Sequence, residues 1–213
     1  MVTRYTSFVE GEFYHVYNRG VDKRIIFNTN SDYQRFQQLL YVTNTSERIN
    51  LRDIQSVHEN IYSYKSKDHL VSIGAYCLMP NHFHILLTPL VEGGVSTFMN
   101  KLTTSYSMYF NKRNDRSGRL FEGSFKAKHA DNDEYLKYLF AYIHLNPKTL
   151  FKEDKNVLSL VSSYQYSSLV DYAHSKREEG RILNYEKFPG YFSSSEKMIA
   201  DLQDWLRYEE SPP

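Results

Sequence analysis

Alternation of apolar and polar side chains predicts three strands in the first half of the chain. Residues 12–19 alternate bulky and polar groups and end at Gly20, as expected of a strand closed by a turn. Residues 69–79 and 82–88 are two further runs of β-favouring side chains, and the Pro-Asn dipeptide between them favours a turn. The pattern therefore predicts a hairpin or a sharply bent pair of strands.

Apolar positions at helical spacing predict three helices. The first starts after Ser31, a candidate N-cap, and has apolar or aromatic groups at positions 33, 36, 39 and 40. The second covers 93–115 and ends in basic residues. The third covers 131–147, where Asp131 and Glu134 form an aspartate version of the capping box and a proline stops the helix.

The remaining segments are less regular. Residues 47–68 are polar and predict a loop or a short helical excursion, and residues 119–130 predict a strand pair or one long bent strand. A last amphipathic stretch covers 194–208. Because strands and helices alternate without the spacing of parallel βαβ units, we expect an α+β fold with a central antiparallel sheet flanked by helices. We expect residues 1–150 to form one domain and residues 151–213 a helical or irregular C-terminal appendage packed on it.

Composition narrows the class of protein. A chain of 213 residues suits one substantial domain, and no apolar run approaches the roughly 20 residues that span a bilayer. The N-terminus lacks the pattern of a secretory signal and Cys77 is the only cysteine, so we expect a cytoplasmic protein without disulfides. The net charge is only +1, but 19 tyrosines among lysines and arginines suit a surface that stacks on bases.

The candidate chemistry starts with two histidines in the run YCLMPNHFHILLTP. In a strand, His82 and His84 point to the same face with Cα atoms about 6.5 to 7 Å apart, while Phe83 points to the opposite face and anchors the strand in the core. Both imidazoles can then turn onto one metal ion. The alternative is a pair of half-exposed polar residues on an amphipathic strand.

The helix that ends near Pro147 offers two further groups. Tyr142 and Asn146 are four residues apart and lie on one helical face. Asn146 has an amide oxygen for a metal, and the Tyr142 phenol would lie where a phosphate bound to that metal is polarised for attack. Tyr142 could instead be an ordinary half-buried aromatic residue, and Tyr138, one turn earlier, could compete for the same role.

Four segments in order resemble one family. The stretches FYHVYNRG, YCLMPNHFHILL, GRLFEGSFKAKHADNDEYLKYLFAYIHLNP and YQYSSLVDY resemble the HUH single-tyrosine transposases, in the branch of REP-associated tyrosine transposases, over roughly residues 8–172. The resemblance implies the HUH, ferredoxin-like arrangement of sheet and helices. It also implies that His82, His84 and Asn146 bind a metal ion and that Tyr142 is the nucleophile.

The resemblance further implies a reaction and its partners. We expect cleavage of single-stranded DNA beside a hairpin through a 5′-phosphotyrosine intermediate, with Mg²⁺ or Mn²⁺, by a monomer or a homodimer. Because imidazole and amide ligands are softer than those Mg²⁺ prefers, Mn²⁺ or Zn²⁺ also suits the site. Two other functions stay open: a DNA- or RNA-binding protein that does not transpose, and a metal phosphohydrolase that uses water.

Basic residues near aromatic rings are candidates for DNA contact, with cations for phosphates and rings for bases. A solvated surface is the alternative for each of them, and a solvated strand face is the alternative for His15 and Arg19. We place His129 and His144 outside the metal site. The candidate DNA contacts are Arg19, Lys23, Arg24, Lys112, Arg113, Arg116, Arg119, Lys126 and Lys128.

Overall fold

The computed structural model describes residues 7–151, 154–173, 176–191 and 194–210. The strands are β1 (Phe13–Arg19), β2 (Val71–Met79), β3 (His82–Pro89) and β4 (Lys126–Ala130). The helices are α1 (Asn30–Val42), α2 (Leu51–Val57), α3 (Gly94–Arg113), α4 (Asp133–Leu145), α5 (Val157–Ser162), α6 (Leu169–Ala173) and α7 (Ser195–Glu210). Short 3₁₀ turns cover Val21–Lys23, Ile61–Ser63, Asn146–Leu150, Glu178–Ile182 and Tyr185–Lys187.

The four strands form one antiparallel sheet in the order β2-β3-β1-β4. The predicted hairpin is confirmed, because β2 and β3 are adjacent and only Pro80 and Asn81 separate them. Helices cover both faces of the sheet, which confirms the predicted α+β class. The side chains of β3 alternate between these faces, so its two histidines and Phe83 belong to opposite sides.

One face of the sheet packs on α1 and α3 and holds the larger part of the core. Phe83 is fully buried there, with its ring 5.0 Å from that of Phe36 in α1 and 5.8 Å from that of Phe121. Tyr106 in α3 packs on Phe36 at 5.0 Å and on Phe121 at 6.4 Å. This aromatic cluster supports β3 from below the histidines.

The other face packs on α4. Leu136, Leu139, Phe140 and Ile143 form a buried cluster with side chains of β2 and β3 such as Leu86. These positions recur at helical spacing, so one stripe of α4 faces the sheet. The stripe sets the rotation of α4 and therefore the direction of Tyr142.

The C-terminal helices pack behind α4. Ala141 and Leu145 of α4 share a buried cluster with Leu202 and Leu206 of α7, as the amphipathic pattern of residues 194–208 predicts. The division into residues 1–150 and an appendage of residues 151–213 stays a prediction. Residues 1–6, 152–153, 174–175, 192–193 and 211–213 lie outside the described part of the chain.

Two predicted caps are wrong by one or two residues. The N-cap of α1 is Thr29, whose backbone N–H donates to Oδ2 of Asp32 at 2.9 Å, so Ser31 lies inside the first turn. The N-cap of α4 is Asn132, whose side chain accepts from the Tyr135 N–H at 2.7 Å, so Asp131 precedes the cap. In both cases a neighbouring residue of the same capping class forms the bond.

The less regular segments resolve into short elements. Residues 47–68 contain α2 and a 3₁₀ turn, in agreement with the predicted loop or helical excursion. Residues 119–130 supply one strand, β4, preceded by an isolated bridge between Phe121 and Gly20. Within the described ranges, no helix is both long enough and apolar enough to cross a membrane.

Candidate active site

The register between β1 and β3 places the histidine pair beside side chains of β1. His82 is opposite Arg19 and His84 is opposite Tyr17. Directly opposed residues of an antiparallel pair point to the same face. His15, two residues before Tyr17, also belongs to this face, which is the one that α4 covers.

Helix α4 brings Tyr142 against the two central histidines. The Tyr142 ring lies edge-on to His84, with ring centroids 5.5 Å apart, and edge-on to His15 at 5.8 Å. Tyr138 lies one turn back, stacked on Tyr142 at 5.9 Å and edge-on to Trp205 at 5.5 Å. The tyrosine that faces the histidines is thus Tyr142.

The His82 ring lies between two side-chain amides, and the oxygen of each amide faces one ring nitrogen. The Asn146 amide N–H donates to the Tyr142 carbonyl at 3.3 Å, so Oδ1 points away, to 3.4 Å from His82 Nε2. The Asn81 amide N–H donates to the Lys23 carbonyl at 3.2 Å, so its Oδ1 points at His82 Nδ1, 2.6 Å away. The shorter contact favours the neutral His82 tautomer with its proton on Nδ1, and in that tautomer the lone pair of Nε2 faces the oxygen of Asn146.

Two facing lone pairs repel unless a cation lies between them. Ligands held about 2.1 Å from one ion, at tetrahedral or octahedral angles, are roughly 3.0 to 3.4 Å apart. The distance from His82 Nε2 to Asn146 Oδ1 falls in this range. Among the described residues, no group of three His, Cys, Asp or Glu side chains is arranged for a metal ion, so the amide oxygen is needed to complete a three-ligand set. The residues present fit a divalent cation.

His84 is held by a second histidine. Its Nδ1 lies 2.8 Å from Nε2 of His15, and the two rings stack with centroids 5.0 Å apart. Burial lowers the pKa of His15 to about 4, with a further contribution from Lys128, and burial also lowers the pKa of His84 well below its usual value. Both rings are therefore neutral at pH 7. If His84 donates from Nδ1 to His15, its Nε2 lone pair is free for a metal ion.

His82 is also neutral at pH 7. Burial lowers its pKa; the contact with Asn146 opposes this shift, and the positive charge of Arg19 acts in the same direction as burial. Metal ligation requires the neutral imidazole, so this lowering prepares the ring for a cation without competition from a proton at pH 7.

Two residues of this arrangement were not identified from the sequence. His15 was open to interpretation as part of a solvated strand face, but it is buried, with 5% of its surface exposed, so that reading is wrong for His15. Asn81 was expected only to form a turn. The contact between His15 and His84 joins residues 69 positions apart, and the Asn81 amide is oriented by the Lys23 carbonyl 58 positions away, so both depend on long-range packing.

Some of the predicted DNA-contact residues lie beside the site. Lys126 is opposite Tyr17 and Lys128 is opposite His15, so both project from the histidine face of the sheet, as does Arg19. Lys23 and Arg24 lie in and after the turn that follows β1. The structure thus places these five cations close to the histidine pair in the fold, while their role in DNA binding stays a prediction.

The other four predicted DNA contacts lie at the end of α3 or in the segment that follows it, and α3 packs on the opposite face of the sheet. Arg113 donates to the Tyr109 hydroxyl at 2.7 Å and lies 3.8 Å from Asp32. Arg116 donates to the Arg119 carbonyl at 3.2 Å. Lys112 belongs to the same last turn of α3. The structure does not bring this group to the histidine pair, and its contact with DNA also stays a prediction.

The two histidines placed outside the metal site have other partners. His129 is exposed at the edge of the sheet, and its Nε2 lies 2.7 Å from Oε2 of Glu12. His144 is fully buried, and its Nε2 lies 2.7 Å from the hydroxyl of Ser168. Neither contacts His82.

Comparison with known proteins bears on the fold and the family of this chain. A solved structure described as "Structure of the REP associates tyrosine transposase bound to a REP hairpin" is similar in fold, with a TM-score of 0.56 and 16% identity; the match covers 91% of this chain and 96% of the other. Among curated proteins, no similar sequence was found. The model of the family "Transposase IS200 like" matches residues 14–146, from β1 to the cap of α4. Because this match spans more than half of the chain, the protein belongs to the IS200-like transposase family, whose members process DNA.

Proposed function

We propose that this protein cleaves and rejoins single-stranded DNA with Tyr142 as the nucleophile. His82, His84 and Asn146 would hold a divalent cation, Mg²⁺ or Mn²⁺. When bound, that ion would orient the scissile phosphate and stabilise its developing negative charge. The neutral, softer ligand set makes Mn²⁺ the better fit of the two.

The observation that carries the proposal is the meeting of four side chains from β3 and the end of α4. An imidazole lone pair of His82 faces the amide oxygen of Asn146 at 3.4 Å, and the Tyr142 ring lies 5.5 Å from that of His84. The backbone of Tyr142 also orients the amide of Asn146. One helix end therefore supplies both the proposed metal ligand and the proposed nucleophile.

The reaction is a transesterification. The Tyr142 oxygen attacks the phosphorus and loses its proton to water. The bond from phosphorus to the 3′ oxygen breaks, and this oxygen takes up a proton to become a free 3′-hydroxyl. The 5′ side of the cut stays on Tyr142 as a phosphotyrosine. The covalent bond retains the energy of the phosphodiester, so a 3′-hydroxyl of another strand can reverse the step without a nucleotide cofactor.

We propose single-stranded DNA next to a hairpin as the substrate. The similar solved structure is described as bound to a REP hairpin, which supports this class of ligand. The active form we propose is a monomer or a homodimer. The cytoplasmic location expected from the sequence stays a prediction.

The test is a search for the covalent intermediate. The protein is incubated with labelled single strands that carry a hairpin and with Mn²⁺, and the products are separated on a denaturing gel. We expect a protein–DNA adduct that is lost with EDTA and in Tyr142→Phe. Tyr138→Phe is the matched control, because it removes the neighbouring hydroxyl and should keep the adduct.

Each other outcome selects a different function. Binding without an adduct on any strand would indicate a DNA- or RNA-binding protein that keeps the fold. Cleaved product without an adduct would indicate a metal phosphohydrolase that activates water. An adduct that persists in Tyr142→Phe would show that another residue is the nucleophile.

A further inference from the structure

An exposed carboxylate is bound to the guanidinium nearest the histidine pair. Arg19 Nε donates to Oε2 of Glu122 at 2.6 Å, and its Nη2 donates to Oε1 at 2.8 Å. This two-pronged geometry is the one in which arginine binds either a carboxylate or a phosphate. Arg19 is opposite His82 in the sheet, and its charge contributes to the lowered pKa of that histidine. The guanidinium therefore already presents an oxyanion site beside the proposed metal ligands.

The backbone fixes the position of Glu122. Its N–H donates to the Arg19 carbonyl at 2.9 Å, and Asn18 donates from its side chain to the Gly123 carbonyl at 3.0 Å. The ladder between β1 and β4 is interrupted here. Tyr17 pairs with Lys126 and Gly20 pairs with Phe121, so two residues on one side oppose four on the other. A bulge of this kind re-aims side chains at a sheet edge, and here Glu122 reaches Arg19.

Several cations surround this single carboxylate. The pKa of Glu122 is lowered first by its bonds to Arg19 and, to a smaller extent, by Lys126 and Lys23. Lys23 lies in the turn after β1, in a left-handed backbone conformation, and its carbonyl accepts from Asn81, the residue that orients His82. The nearest other acid in this turn, Asp22, lies 3.9 Å from Arg24. Arg19, Lys23 and Lys126 carry three positive charges against the one negative charge of Glu122, so the surface beside His82 has an excess of positive charge.

Another anion can replace Glu122 on Arg19. The side chains of Arg19 and Glu122 are 45% and 34% exposed, so the contact is largely solvated. Exposed ion pairs contribute little net free energy, so an incoming anion can displace the carboxylate. A phosphodiester offers two oxygens at a similar spacing, with the same geometry toward arginine.

We propose that Arg19, with Lys23 and Lys126, binds the phosphodiester of the single strand next to His82, and that Glu122 occupies this site in the free protein until a phosphate displaces it. The inference rests on the proposed function for the identity of the ligand and adds a residue that regulates access to it. Glu122 thereby lowers the affinity for a strand whose phosphate must displace it, and it does not affect a strand that supplies no charged phosphate at this position.

The test measures binding without chemistry. In the Tyr142→Phe protein, with EDTA present, fluorescence anisotropy gives the affinity for a labelled 20-nucleotide oligo-dT at moderate salt. We expect Glu122→Gln to bind about two- to fivefold more tightly, the range of one exposed ion pair. Glu59→Gln, an exposed position between α1 and β2, has the same change in charge and should alter the affinity by less than about 1.5-fold because salt screens distant charges.

A double-mutant cycle assigns the effect to Arg19. In Arg19→Ala, we expect Glu122→Gln to change affinity no more than Glu59→Gln does. A probe of the same length with an uncharged methylphosphonate backbone should also remove the gain. Circular dichroism confirms that each variant is folded.

Three results would overturn the inference: a gain in Glu122→Gln no larger than in Glu59→Gln, a gain that survives Arg19→Ala, or no binding of the probe by any variant. These results are separable from those for the covalent step. Adduct formation with no effect of Glu122→Gln would reject only the phosphate site. A gain in binding without any adduct would reject only the nucleophile.

Discussion

Replacing His144 with glutamine should make the protein less sensitive to mild acid. His144 belongs to α4 and is fully buried against the segment that contains Ser168, and its ring lies 5.4 Å from that of Tyr172. Among the described residues its Nδ1 has no hydrogen-bond partner, so nothing near it favours a second proton. Burial accordingly lowers the pKa of His144 to about 3 from the ordinary value of 6.5.

The sign and size of the effect of pH on the free energy of unfolding follow from proton linkage. At pH 7 the imidazole of His144 is neutral in both the folded and the unfolded chain, so it does not lower the free energy of unfolding. As the pH falls below 6.5, the unfolded chain binds a proton that the folded protein excludes, and the free energy of unfolding decreases until the pH reaches about 3. Each pH unit in this window costs about 1.4 kcal/mol, so His144 alone accounts for a loss of about 2 kcal/mol between pH 7 and pH 5.

Urea unfolding at pH 7, 6 and 5, followed by fluorescence of the single tryptophan, Trp205, measures this loss. The other buried histidines remain in His144→Gln, so the difference in pH dependence between the two proteins isolates His144. We expect the variant to lose about 2 kcal/mol less than the parent between pH 7 and pH 5. His69→Gln, at an exposed position, is the control and should behave like the parent. An equal loss in His144→Gln and the parent would refute the reasoning.

Three further predictions concern the support of the site. Phe83→Ala removes a fully buried ring that packs on Phe36 and should lower the free energy of unfolding by about 3 to 5 kcal/mol in urea titrations, with a smaller loss in Phe83→Leu. His15→Phe keeps an aromatic ring but leaves Nδ1 of His84 without its partner, so calorimetry should show Mn²⁺ affinity about 10- to 100-fold weaker; an unchanged affinity would contradict this role. Asp171→Asn leaves Arg177 without the carboxylate 2.9 Å away and should lower the free energy of unfolding by about 3 to 5 kcal/mol, as measured by thermal denaturation.

Local sequence patterns are sufficient to predict the secondary-structure elements that carry the site residues. The β2–β3 hairpin follows from two β-favouring runs and a Pro-Asn turn, and α4 follows from a periodic apolar stripe and a terminal proline. The helix ends were less certain because neighbouring residues can cap equally well: Thr29 competes with Ser31, and Asn132 competes with Asp131.

Contacts between distant segments could not be predicted in this way. The pairing of His15 with His84 depends on the β1–β3 register, and the pairing of Arg19 with Glu122 depends on a bulge 103 positions away. An alternating pattern places His15 on one face of a strand but does not say which strand lies beside it or whether a helix covers that face. Its burial became evident only from the packing of α4.

The central claim is that Tyr142 forms a bond to DNA, and peptide mapping of the intermediate tests it most directly. After reaction with a hairpin-flanked strand and Mn²⁺, nuclease and trypsin digestion should leave a nucleotide on the peptide 138–148, which contains both Tyr138 and Tyr142. Fragmentation of this peptide then assigns the modified residue. We expect a nucleotide on Tyr142 linked through its 5′ phosphate; a nucleotide on Tyr138 or on any other residue would show that Tyr142 is not the nucleophile.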